Sequence, residues 1–297
     1  MIVLKRFTGA LRLLPLTLLL AGPALAQSAD PVHEPAVPTA APHPWELLMQ
    51  TPESPVQHAI ENLHNFVLII ILAITALVGV LLVVVLTRFN AKRHPVPSRT
   101  SHNTPLEVAW TLIPALILVV IAIPSFKLVF YEDHASHPAL TVQVTGHQWY
   151  WEYSYPGEGK IDFSSYIVPS KDLKPGQRRL LTASAPMVVP AGEDIQVLTT
   201  SSDVIHSFFV PSLGLQRYAI PGRTIRTWFR ADKPGLYVGE CNQICGTNHS
   251  RMPINILAVT PKQFQAWVVY AKKQYADNAP VPTNLTASAG GVPAPVR

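Results

Sequence analysis

The chain has only two cysteines, and both fall in one short run, Cys241-Asn242-Gln243-Ile244-Cys245, which continues to His249 and Met252. A further histidine, His206, stands upstream in Asp203-Val204-Ile205-His206-Ser207-Phe208. Thiolate, imidazole and thioether form a soft donor set of the kind that suits copper. A single copper of the blue electron-transfer type needs one Cys, two His and a weak Met. The second thiolate is surplus to that need, and two close thiolates can bridge two metals. Each metal then has one histidine, with Met252 and a backbone carbonyl as weak ligands and no open position for a substrate. The pattern therefore points to a binuclear copper centre for electron transfer. Three plainer uses of the same residues compete with it. The cysteines could form a disulfide in an exported domain. Two Cys and two His could hold structural zinc, although that leaves Met252 unused and draws on the distant His206. The histidines could simply fill a core, which does not explain four soft donors within one loop.

Such a loop needs a framework, and the amino-terminal half supplies a membrane anchor. Met1 to Ala26 has Lys5, Arg6 and Arg12 around an apolar stretch that ends in Ala24-Leu25-Ala26, the layout of a signal peptide over residues 1–26. Residues 27–57 are rich in Pro, Ala and His and read as a flexible leader. Phe66 to Leu86 has neither charge nor proline, and Val108 to Phe126 has no charge but carries Pro114 and Pro124. Each is long enough to cross the hydrocarbon core as a helix, and prolines in a bundle are tolerated. The expected hairpin covers residues 58–131, with spans at about 64–87 and 107–128. The loop 88–106 holds Arg88, Lys92, Arg93 and Arg99, and no acid precedes Glu107. Cationic loops stay in the cytoplasm, so both mature termini face the periplasm. Lys127 at the outer end can snorkel to the interface.

From residue 132 to 275 the pattern changes. Leu140, Val142 and Val144 alternate with polar residues, and short apolar runs recur at 187–189, 195–198, 205–210, 225–229, 236–238 and 254–259. Turn residues such as Pro221-Gly222 and Asp232-Lys233-Pro234-Gly235 separate them. This periodicity predicts an all-β sandwich or barrel. Thr260-Pro261 opens a short helix with Phe264, Trp267, Val268 and Ala271 on one face. Residues 276–297 read as a disordered tail. The net charge of +5 does not imply nucleic acid, because seven cations belong to the signal peptide and the cytoplasmic loop. There is no phosphate loop, no metalloprotease signature and no Cys-x-x-Cys-His haem attachment.

The copper loop, together with Gly146-His147-Gln148-Trp149-Tyr150-Trp151 and Pro211-Ser212-Leu213-Gly214-Leu215, resembles subunit 2 of bacterial cytochrome c oxidase over about residues 55–275. The resemblance implies a membrane-anchored α+β protein: a two-helix transmembrane hairpin, a periplasmic all-β cupredoxin-like Greek-key sandwich and a short C-terminal helix. It implies that His206, Cys241, Cys245, His249 and Met252 hold binuclear copper, with the main-chain carbonyl of Gln243 as a further ligand. The family usually places glutamate at position 243, where the carboxylate helps bind magnesium at the boundary with subunit 1. Gln243 leaves the carbonyl ligand intact but offers magnesium a weaker oxygen.

The same resemblance gives roles to residues outside the copper set. Trp149 matches the tryptophan through which electrons arrive from cytochrome c, while Trp151 reads better as a core plug. Asp203, Glu152 and Glu158 are candidate docking acids for that donor, with Lys160 intruding among them. Glu107 precedes Trp110-Thr111-Leu112-Ile113-Pro114-Ala115 and matches the entrance of a proton path into subunit 1. Implied partners are subunit 1 with its hemes and second copper, subunit 3, cytochrome c and membrane lipid, in a bacterial inner membrane. Oxygen reduction and proton pumping belong to the assembled oxidase. A quinol oxidase subunit would lack the copper ligands, and a copper-delivery protein would bind one exchangeable ion. The likeness to nitrous oxide reductase is confined to the loop.

Overall fold

The computed structural model describes residues 31–32, 35, 37–96, 98–133, 137–159 and 161–275. The expected signal peptide, the first residues of the leader, Lys160 and the tail beyond residue 275 lie outside the described residues. Helix α1 (Pro55–Arg88) starts where Ser54, in extended conformation, accepts the Gln57 N–H on its hydroxyl, with proline in the first turn. That satisfies one orphan donor and removes another. Helix α2 (Thr104–Asp133) carries Pro114 and Pro124 within it. At 34 residues α1 is about 50 Å long, well beyond a hydrocarbon core of about 30 Å. Both helices thus overrun the expected spans and carry the fold out of the membrane. No residue of either apolar window is buried by protein.

The segment before α1 differs from the expected free leader. Over its described part it lies along the domain. Thr39 N–H donates to the Leu236 carbonyl at 2.7 Å, and Arg178 donates to the Pro42 carbonyl at 3.1 Å. Glu53 is buried but accepts from Lys233 at 2.7 Å, and its N–H reaches the Ser212 carbonyl at 2.9 Å. A buried carboxylate would be costly without those partners.

The domain comprises ten strands in two sheets. They are β1 (Leu140–His147), β2 (Tyr150–Ser154), β3 (Asp162–Ser165), β4 (Met187–Pro190), β5 (Ile195–Ser201), β6 (His206–Val210), β7 (Leu215–Ala219), β8 (Ile225–Phe229), β9 (Gly235–Cys241) and β10 (Pro253–Val259). One sheet runs β3-β2-β1-β5-β8 and the other β4-β10-β9-β6-β7. The β1–β5 and β4–β10 pairs are parallel and the remaining pairs antiparallel. Alternation decides the faces: Val142, Val144, Ile195 and Val197 point inward from the first sheet and are fully buried. Each such side chain contributes about 1.5–3 kcal/mol. β10 is buried along its whole length, so it reads as a continuous apolar run. Helix α3 (Pro261–Tyr275) follows β10 directly and buries Phe264, Trp267, Val268 and Ala271 on one face.

The sandwich is fastened to both membrane helices. Trp228 Nε1–H donates to the Tyr131 carbonyl at 2.7 Å, and Thr227 donates to that of Glu132 at 3.1 Å. Arg217 pairs with Glu132 at 3.6 Å and with Asp133 at 2.8 Å. On the other side Ser54 Oγ donates to the Leu213 carbonyl at 2.7 Å.

Candidate metal centre

Two neighbouring strands bring the distant donor to the loop. β6 opens with His206, β9 closes with Cys241, and the strands pair with Phe208 opposite Cys241. The chain then loops from Asn242 to Met252 before returning as β10. Cys241 N–H closes the base of that loop on the Met252 carbonyl at 3.3 Å, and Asn242 N–H bonds the Ser207 carbonyl at 3.1 Å. Gly246 sits at φ +121°, a backbone state that glycine adopts without strain, and a Cβ there would lie 3.0 Å from the Trp149 ring.

The donors converge. Cys241 Sγ is 4.0 Å from His206 Nδ1 and 3.9 Å from Cys245 Sγ. Cys245 Sγ is 3.6 Å from His249 Nδ1 and 3.5 Å from Met252 Sδ. The Gln243 carbonyl oxygen lies 3.3 Å from Cys241 Sγ. Both cysteines are free thiols and, like His206 and Met252, are buried. Burial, and after it the adjacent Cys241 sulfur, pushes the Cys245 thiol up to about 12. Two thiolates this close in an apolar site need a cation between them. With imidazole at either end and a thioether beside Cys245, the set fits copper by its chemistry. All six sequence-predicted metal residues therefore meet.

Asp203 is not simply a surface acid. Its Oδ1 lies 2.8 Å from His206 Nε2, and it also accepts the backbone N–H of Gln148 at 2.7 Å and of Val204 at 2.6 Å. Burial raises its pKa, but the bonds from His206, Val204 and Gln148 outweigh this and hold the carboxyl below its usual value. A carboxylate on the outer nitrogen of a ligating histidine fixes the tautomer and the ring orientation. Here it leaves Nδ1 facing Cys241. Behind the ring, a Cβ on Gly146 would come within 2.8 Å of His206 Cδ2, so glycine makes room for the imidazole.

Trp149 is half-buried, and its Nε1–H donates to the Cys245 carbonyl at 3.2 Å. Gln148 Nε2 donates to the same oxygen at 2.7 Å. Trp151 is fully buried, donates to the Met252 carbonyl at 3.3 Å and meets Phe208 edge-on at 5.1 Å. Glu152 faces His147 at 3.4 Å, beside the Tyr150 ring that stacks on His147 at 4.4 Å. Glu158 follows the far end of β2 and is not brought to the loop. Glu107 lies at the opposite end of the molecule, where its Oε1 accepts the Asn103 N–H at 3.1 Å in the first turn of α2. Gln148 and Gly146 are site residues that sequence reading did not single out. Their only signal was membership of the aromatic motif.

A sandwich on a two-helix anchor, with a sulfur-rich metal loop between paired strands, defines a membrane-bound cupredoxin-like domain. The family described as cytochrome c oxidase subunit II matches at residues 140–259 for its periplasmic domain and 42–128 for its transmembrane domain. The probable cytochrome c oxidase subunit 2 of Rickettsia bellii (strain RML369-C) is 44% identical over 232 residues, 78% of this chain and 86% of that protein. Cytochrome c oxidase subunit 2 of Arabidopsis thaliana is 40% identical over 237 residues, 78% of this chain and 91% of that one. Among solved structures, the periplasmic domain of subunit II of cytochrome oxidase (CoxB) of Bradyrhizobium japonicum is 44% identical. It covers 48% of this chain and 99% of that chain, with a TM-score of 0.45. The chain belongs to the cytochrome c oxidase subunit 2 family. It is a subunit of that oxidase, with two apolar membrane helices and a periplasmic domain.

Proposed function

We propose that this subunit receives electrons from cytochrome c and passes them to heme in subunit 1, where oxygen is reduced to water and protons are pumped. The convergence of two buried free thiols, the His249 imidazole and a thioether from the segment Cys241 to Met252 with the His206 imidazole from β6 supports this reading most directly. His206, Cys241, Cys245, His249 and Met252, with the Gln243 carbonyl, would hold a pair of copper ions. Bound there, the pair supplies a one-electron store shared by both metals.

The protein's own groups do the rest. Asp203 orients the His206 ring. Trp149 offers an indole to the donor and is tied by its N–H to the Cys245 carbonyl, which couples the contact surface to the loop. Three neighbouring strands of one sheet, β6, β9 and β10, hold His206 and both ends of the loop, so the donors move little between redox states. Glu152 and Asp203 add negative charge near Trp149 that draws in a basic donor. Glu158 acts only at longer range. Gln243 gives magnesium at the boundary with subunit 1 at most a neutral oxygen. Glu107 opens the proton path at the cytoplasmic end of α2. The cationic loop 88–106 faces the cytoplasm, and the copper domain and both mature termini face the periplasm of a bacterial inner membrane. Subunit 3 completes the assembly.

Electron paramagnetic resonance of the copper-loaded protein tests the site class. One unpaired electron shared by two coppers gives seven hyperfine lines. A four-line signal from one copper, or a colourless single Cu(I), overturns the reading.

A further inference from the structure

On the outer half of the spanning pair, α1 and α2 part to leave a cleft of about 730 Å³. Leu63, Phe66 and Leu128 form its walls, and Asn62 and Lys127 stand among the lining residues. A second recess of about 380 Å³ lies deeper between the same helices, lined by Phe66, Ile70, Ile113 and Val120 among others. Phe66 lines both, so they adjoin as one groove that runs about three helical turns along α1, from Ala59 to Ile70. The deep end is wholly aliphatic and aromatic. The outer end carries one amide, one ammonium and the Tyr131 phenol.

The ammonium is not committed to the protein. Glu132 and Asp133, the carboxylates that end α2, are both turned to Arg217. Among the described residues no carboxylate lies within ion-pair distance of Lys127. An unpaired cation at the edge of the hydrocarbon seeks a phosphate in the headgroup layer. A protein helix filling the groove would have to bring its own carboxylate to that depth, whereas a phospholipid carries its anion there in any case.

We propose that this groove is a binding site for one anionic phospholipid, its acyl chain laid along Phe66, Ile70 and Val120 and its phosphate held by Lys127 and Asn62. The site is amphipathic in the same sense as the ligand, apolar inward and cationic outward. Charge selects the headgroup, because Lys127 faces no competing acid. The ion pair gains strength from low dielectric at the rim, where an ammonium–phosphate hydrogen bond is charge-assisted.

The test uses the intact oxidase in phosphatidylcholine nanodiscs doped with phosphatidylglycerol. Phospholipid retained after detergent exchange is counted by native mass spectrometry. We expect one phosphatidylglycerol held per copy of this subunit. Lys127→Gln should weaken its retention about tenfold, the scale of one lost charge-assisted hydrogen bond. Leu63→Trp, which fills the cleft, should abolish retention while copper content stays unchanged. Equal retention by the unaltered protein and both variants overturns the proposal. So does equal retention of phosphatidylcholine, or a map of the oxidase with another subunit's helix in the groove.

Discussion

His206 is caught between two demands: Nδ1 must face Cys241 while Nε2 stays satisfied in a fully buried position. Asp203 meets the second demand at 2.8 Å, and its other two bonds lock it in place. Asp203→Ala should therefore weaken copper retention by about 10–100-fold, measured by chelator competition. If copper is retained normally and only cytochrome c binding weakens, Asp203 is a docking acid and nothing more. Trp149 makes the complementary case. Trp149→Phe removes the N–H that reaches Cys245 but keeps an aromatic ring. Reduction by cytochrome c in stopped flow should slow by at least about tenfold with copper content unchanged, the equivalent of one hydrogen bond lost at the transition state. Loss of copper instead would make it a packing residue.

At the scale of elements, the site depends on how closely β1 approaches β6. Gly146 in β1 faces the His206 ring without space for a methyl group. Gly146→Ala should displace the imidazole and cost about 1–3 kcal/mol of stability, as overpacking does. Thermal unfolding of the metal-free protein and the copper absorption spectrum read the two effects separately. Most strands were legible from alternation, since β1, β4, β5, β6, β8, β9 and β10 each coincide with an apolar run. β2, β3 and β7 were not. In β2 aromatic residues fall on both faces, so Tyr150 to Ser154 reads as a cluster with no period. β3 has one apolar side chain in four residues, and β7 is Leu-Gln-Arg-Tyr-Ala. Their pairing comes from neighbouring strands.

Across the whole molecule, the candidate metal loop and Glu107 lie at opposite ends, the loop on the sandwich and Glu107 in the first turn of α2. Ser54, Glu53, Thr227, Trp228 and Arg217 join the sandwich to the ends of both helices. Glu107 accepts the Asn103 N–H at the start of α2. Glu107→Gln keeps an oxygen for that bond and removes the charge. Proton uptake during reduction of the assembled oxidase should slow while the amount of assembled enzyme is unchanged. Unchanged uptake would leave Glu107 with its helix-start role alone.

Local chemistry determined the candidate donor types, the two apolar spans and the charge of the loop between them, because those depend on composition and short-range spacing alone. The donors from Cys241 to Met252 could be named as candidates for the same reason. Only the tertiary structure decided that Asp203 serves His206, that Gly146 leaves it room, that Glu158 stands apart, and that the segment before α1 straps the domain. Each of these joins residues far apart in sequence or on different strands, and such contacts are set by strand register and packing rather than by local pattern.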